Sequence, residues 1–228
     1  MAYSISSKEK LTFLSDTLDL IRKSRVTLST AMGDCLHVAD QVAMAGTDRV
    51  YNGMANIATG MNDLLDKTRD AFGGAAETLT RGAENIGPEF ASRIKVLADE
   101  YAALPTGETF GVKKESTGLD DNMTPELSKK LEESILAVIE VRKDYVLNLA
   151  DLASKAMSDP DFKEVIVKVG KASEDFGNDV LLASYNSIAD QLHALGIFLD
   201  KRMEELREHS NKVNAASMPS GKAGALDV

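Results

Sequence analysis

An apolar rhythm of alternating three- and four-residue steps constrains this chain more than any other feature. It opens at Leu11, Leu14, Leu18 and Ile21, skips at Arg25, and resumes at Leu28, Met32, Cys35, Ala39 and Val42. Steps of three and four hold one narrow stripe on one side of a helix, which is the seam of a coiled coil or a helical hairpin. The pattern returns at Val50, Met54, Ile57, Met61 and Leu64, with Ala71 and Phe72 closing it, and again at Phe90, Ile94, Leu97, Tyr101 and Leu104. A fourth series runs Leu131, Ile135, Val138, Arg142, Tyr145, Leu149, Leu152 and Ala156. The predicted fold is therefore all-α: an elongated helical bundle of coiled-coil hairpins with a long C-terminal helix.

Start and stop signals divide these series. Ser6 and Glu9 have the spacing of a capping box, in which each side chain satisfies a backbone amide of the other. Gly73-Gly74 reads as the end of the second helix, and Thr80 to Gly87 as a short separate stretch. Pro88, Pro125 and Pro160 each suit a first helical position, the last two after Thr124 and Asp159. At Gly46 the heptad register slips by one, so either one helix bends there or two meet end to end.

The expected organisation is a frayed 1–6, an N-terminal helical hairpin or bundle over 7–104, a linker over 105–123, a C-terminal coiled-coil pair over 124–213, and a disordered tail over 214–228. From Pro160 to Val213 no proline intervenes, so that segment reads as one long helix with weak points at Gly170, Gly177 and Gly196.

Two irregularities in the seams are candidate functional positions. Arg25 and Arg142 each place a charge where the stripe is apolar, a device that can restrain pairing register. The plainer reading is that each aliphatic stem lies along the seam while the guanidinium reaches water. Gly46, Gly53 and Gly60 stand seven apart on one stripe. They either admit a neighbouring backbone closely or keep the helix marginal so that it can rearrange, since each glycine costs a helix about 1 kcal/mol relative to alanine.

Composition narrows the partners. The chain has 228 residues, a net charge of −10 and no Trp. An acidic surface repels phosphate backbones and anionic lipid, which argues against nucleic acid and gives a membrane no electrostatic support. Val180 to Leu199 carries only Asp190 as a charge and is the best candidate for a membrane-active segment. The N-terminus lacks the basic and apolar regions of a standard signal peptide. The protein is thus expected to be made in the cytoplasm, with any secretion following a signal-peptide-independent route.

Chemistry-bearing motifs are sparse. Asp34, Cys35, His37 and Asp40 spread around their helix instead of converging. Glu205 and His209 share a face, but a di-iron bundle requires Glu-x-x-His on two helices, whereas Leu206 stands three before His209 and no second copy occurs. Neither a nucleophile elbow nor a phosphate-binding glycine loop occurs. The expectation is a non-enzymatic protein with no cofactor, no metal and no small-molecule substrate, whose partners are proteins met through helical seams, itself included.

In general character the chain resembles the helical proteins exported by bacterial type III secretion systems, such as needle-tip, filament and translocator-associated components. The shared traits are the Ser-containing N-terminus from Ala2 to Ser7, the absence of Trp, the acidity, helices rich in small residues, and the long segment Pro160 to Val213. The resemblance implies a secreted, self-associating virulence-type protein. The alternatives are a pore-forming toxin component and an intracellular coiled-coil scaffold or adaptor.

Overall fold

The computed structural model describes residues 6–41, 47–107, 125–157 and 159–194, together with 208, 211 and 212. Every regular element among them is helical: α1 (Ser7–Gln41), α2 (Thr47–Gly82), α3 (Pro88–Ala102), α4 (Pro125–Ala156), α5 (Pro160–Asp175) and α6 (Leu182–Ala194). A 3-10 turn (Ala83–Asn85) follows α2, and a π-helical turn (Phe176–Leu181) joins α5 to α6 without a break. The all-α expectation holds. The expectations for residues 1–5, Val42 and Gly46, the linker beyond Gly107, Gly196 and the tail lie outside the described residues.

The seams close within one chain. Leu14, Leu18, Ile21, Leu28, Met32 and Cys35 of α1 are buried, as are Val50, Met54, Ile57, Met61, Leu64 and Phe72 of α2. Ile94 and Tyr101 of α3 and Leu131, Ile135, Val138 and Tyr145 of α4 join them in one continuous core. At about 1.5 Å per residue, the 35-residue α1 and 36-residue α2 are each a little over 50 Å long.

Contacts between named side chains give the directions. Phe13 meets Phe72 at 5.3 Å between ring centroids and Arg25 pairs with Asp66, so numbering rises along α1 as it falls along α2. The two helices are antiparallel neighbours. They neither form one bent rod nor stack end to end, as the register slip at Gly46 had suggested. Lys10 reaches Asp159 at 3.4 Å near one end, while Ser134 lies beside Cys35 near the other. Hence α4 runs antiparallel to α1. Gly53 faces Ile188 and Gly60 faces Phe176 and Val180, which sets α5–π–α6 antiparallel to α2.

The N-terminal and C-terminal helices pack on one another. α4 packs chiefly on α1, and the α5–α6 rod packs chiefly on α2, whereas α4 and α5 meet at only a few points. Gly53 and Gly60 on α2 let the rod approach it closely, whereas the long Arg142 side chain spans the gap between α4 and the rod. Because α2 and α4 run in the same direction, the chain must travel back along the bundle between them. α3 covers the first part of that return, laid over α1 and α2.

Local chemistry explains the helix ends. The Ser6 amide donates to Glu9 Oε2 at 2.7 Å and the Glu9 amide donates to Ser6 Oγ at 3.3 Å, which completes the capping box. Those hydrogen bonds hold the Glu9 carboxyl below its ordinary range. Gly73-Gly74 does not end α2, contrary to expectation. The helix continues to Gly82 because Ala76 is fully buried beyond the glycines and Gly73 lies against Tyr101, whose Cβ would be 3.4 Å from an added methyl group. The break comes at Gly87, whose φ of +145° favours glycine, directly before Pro88.

Candidate functional site: a polar layer in the middle of the bundle

The two arginines that interrupt the seams stand at one level of the bundle. The Cys35–Ser134 and Lys10–Asp159 contacts fix a register in which Arg25 of α1 comes opposite the Arg142–Tyr145 turn of α4. Around that level the apolar core gives way to three small polar groups.

Arg25 forms an ion pair with Asp66 of α2, with 11% and 23% of the two side chains exposed. Asp66 also lies 3.6 Å from Arg69, and its second oxygen accepts the Gly107 amide at 2.9 Å. One carboxylate thus ties α1, α2 and the chain just beyond α3. Beside it, the Tyr145 hydroxyl and Thr68 Oγ1 lie 2.5 Å apart, and Thr68 Oγ1 donates to the Leu64 carbonyl at 2.8 Å. Burial raises the Tyr145 phenol well above its ordinary value, while the Thr68 contact and the Arg25 charge act in the other direction.

Arg142 does not snorkel. It is wholly buried, donates through Nη2 to the Ser173 carbonyl at 3.0 Å, and sets its guanidinium 5.4 Å from the Phe176 ring centroid. That contact has cation–π geometry. Desolvation pulls its pKa down to about 10, still charged at neutral pH. The arginine spans the gap between α4 and the rod at the point where the rod becomes π-helical.

The same turn meets the glycine stripe. A Cβ added at Gly60 would lie 2.6 Å from the Phe176 ring and 2.9 Å from Val180, and one added at Gly53 would lie 2.5 Å from Ile188. Phe176 is therefore clamped between the α2 backbone at Gly60 and the guanidinium of Arg142. The structure brings together Arg25, Arg142 and Gly60 at one level, with Gly53 about two helical turns away along α2.

Sequence reasoning missed Asp66, Tyr145, Thr68 and the π turn as parts of this layer. One signal for the turn was present. The buried stripe of the rod runs Phe162, Ile166, Val169, Ser173, Phe176, Leu181, Tyr185 and Ile188, steps of four and three broken by a single step of five. A step of five marks one residue inserted into an α-helix, which a π turn absorbs. Gly177, a predicted weak point, lies inside it.

The other candidates are dispersed. Cys35 is buried, its thiol pushed up to about 12 by burial, while Asp34 and His37 face outward. No group of three or more potential metal ligands converges among the described residues. No helix among them is long and apolar enough to cross a membrane, and Leu181, Tyr185, Ile188 and Ala189 of the candidate membrane segment are buried in the core. Compared with known proteins, the chain matches no family model, no curated protein and no solved structure.

Proposed function

We propose that this chain is a non-enzymatic helical interaction protein that self-associates through its own seams, with the arginine layer fixing the register in which they pair. The observation that carries this reading is the placement of Arg25 and Arg142 opposite each other inside otherwise apolar seams, each held by a partner on a neighbouring helix. A buried charge adds little net stability compared with an apolar side chain of similar volume, and its best-attested use is to specify register. The seam residues are already consumed within the bundle, so pairing with another chain exchanges existing contacts instead of adding helices outside. Export by a bacterial secretion apparatus belongs to the same proposal and rests on the acidity, the absence of Trp and the helices rich in small residues.

The test is the double variant Arg25→Met/Arg142→Met, followed by thermal unfolding and light scattering. Equal or greater stability with a broader distribution of oligomers supports a register role. A less stable protein of unchanged mass would sink it.

A further inference from the structure

Deepening the reading above, on which it rests, we infer that the partner is a second copy of this chain and that association exchanges α4–α6 as a unit between two copies. The second half of the molecule depends on the first and little on itself. α4 lies on α1 and the α5–α6 rod lies on α2, while α4 and α5 scarcely meet. Detached from α1 and α2, the second half would expose Leu131, Ile135, Val138, Leu181 and Ile188. The complementary surface it needs is present on every other copy.

Chain reach makes the exchange available. Gly107 is tied to Asp66, level with Arg25, while Pro125 starts α4 nine residues before Ser134, which faces Cys35. Ten residues of α1 and nine of α4 separate those levels, an axial distance of about 28 Å. Seventeen residues lie between Gly107 and Pro125, and they can span up to about 55–60 Å. The connection can serve either the same chain or a neighbour. Exchange of identical elements preserves every native contact, and the arginine layer selects the same register in both cases.

Cys35 is the only cysteine in the chain and meets Ser134 across the α1–α4 interface, which supplies the experiment. The native chain is unfolded and refolded at high concentration together with a copy carrying Cys35→Ser and Ser134→Cys, then oxidised. A disulfide between the two forms only where α1 of one copy packs on α4 of the other. The expected result is a covalent heterodimer, absent when the folded proteins are mixed without refolding. Its absence overturns the inference when a single chain carrying Ser134→Cys alone closes the bond internally. The second measurement needs no disulfide. Deleting residues 110–121 leaves five residues between Gly107 and α4, a reach of about 20 Å, too short for closure within one chain. A folded dimer by light scattering supports exchange, and a folded monomer or an unfolded chain overturns it. Failure here leaves the double-arginine test standing, since register can be read from stability and mass without exchange.

Discussion

The rod α5–π–α6 touches two neighbours in opposite ways. Against α2 it comes so close that Gly53 and Gly60 have no room for a methyl group, and the contact is between backbone and apolar side chain. Against α4 it stays distant, and the gap is bridged by Arg142 reaching the Ser173 carbonyl and the Phe176 ring. The tight seam takes its strength from dispersion and excluded volume, which vary steeply with atom size. The wide seam takes its specificity from a charge whose burial is costly and whose partners are few. Thus one rod carries a contact that fixes distance and another that fixes register. Phe176 belongs to both, and the extra residue that follows it returns Leu181, Tyr185 and Ile188 to the buried stripe.

Substitutions that separate size from charge test this contrast most sharply. Arg142→Ala should be less stable than Arg142→Met by about 2–5 kcal/mol, because alanine leaves a cavity where methionine keeps the stem's volume. Denaturant melts of the two variants check it. Equal stability would mean that the wide seam collapses freely and that Arg142 holds nothing apart.

Alkaline titration is next in size. Cys35, Tyr101 and Tyr145 all have folded pKa values raised by burial above ordinary values of 9.0, 10.0 and 10.0. A raised acid contributes stability that is complete below the unfolded pKa and lost as pH climbs toward the folded one. Arg142, lowered to about 10, opposes them, since the unfolded state keeps its proton longer. The net expectation is a loss of about 2–3 kcal/mol by pH 10.5, led by Cys35. Circular dichroism from pH 8 to 11 should show it, and Cys35→Ala should flatten most of the slope.

The tight seam gives effects of opposite sign at chemically identical changes. Gly60→Ala and Gly53→Ala should each destabilise by about 1–3 kcal/mol through overpacking. Gly74→Ala and Gly170→Ala, at helical positions with nothing near the added methyl, should stabilise by about 0.4–1 kcal/mol. Thermal shifts that all move upward would show that α2 and the rod can slide apart at no cost.

The smallest effect lies far from both seams. Ser6→Ala should cost about 1 kcal/mol by removing half of the capping box. As pH falls through the lowered pKa of Glu9, the stability that its hydrogen bonds to residue 6 supply above the ordinary carboxyl range should be lost in the parent, and lost to a smaller extent in the variant, which keeps only the backbone amide bond.

Local chemistry was largely legible in the sequence. The seam positions of α1, α2, α3 and α4 and the starts at Ser7, Pro88, Pro125 and Pro160 follow from spacing and capping, which act within a few residues. Partner choice was not legible, because a heptad seam states that a helix packs and not on which helix. Nothing local tells Leu14 that Tyr101 will donate to its carbonyl at 2.6 Å, or tells Cys35 that Ser134 will face it. Arg25 and Arg142 were visible as irregularities, but Asp66, one aspartate among many exposed acids, stands out only once α1 and the chain beyond α3 converge on it.

The pairing of α1 with α4 also fixes an order of events during synthesis. Cys35 leaves the ribosome about a hundred residues before Ser134 does, a delay of roughly 5–20 s at ordinary elongation rates. Through that interval α2 and α3 can dock while the α4-facing side of α1 remains wet and apolar. The nascent chain must then rely on a holding factor or on the acidity of its surface to avoid sticking to its neighbours. Ribosome-bound chains that end before Pro125 should therefore be readily cleaved within α1, and chains extended past Ala156 should resist the same protease.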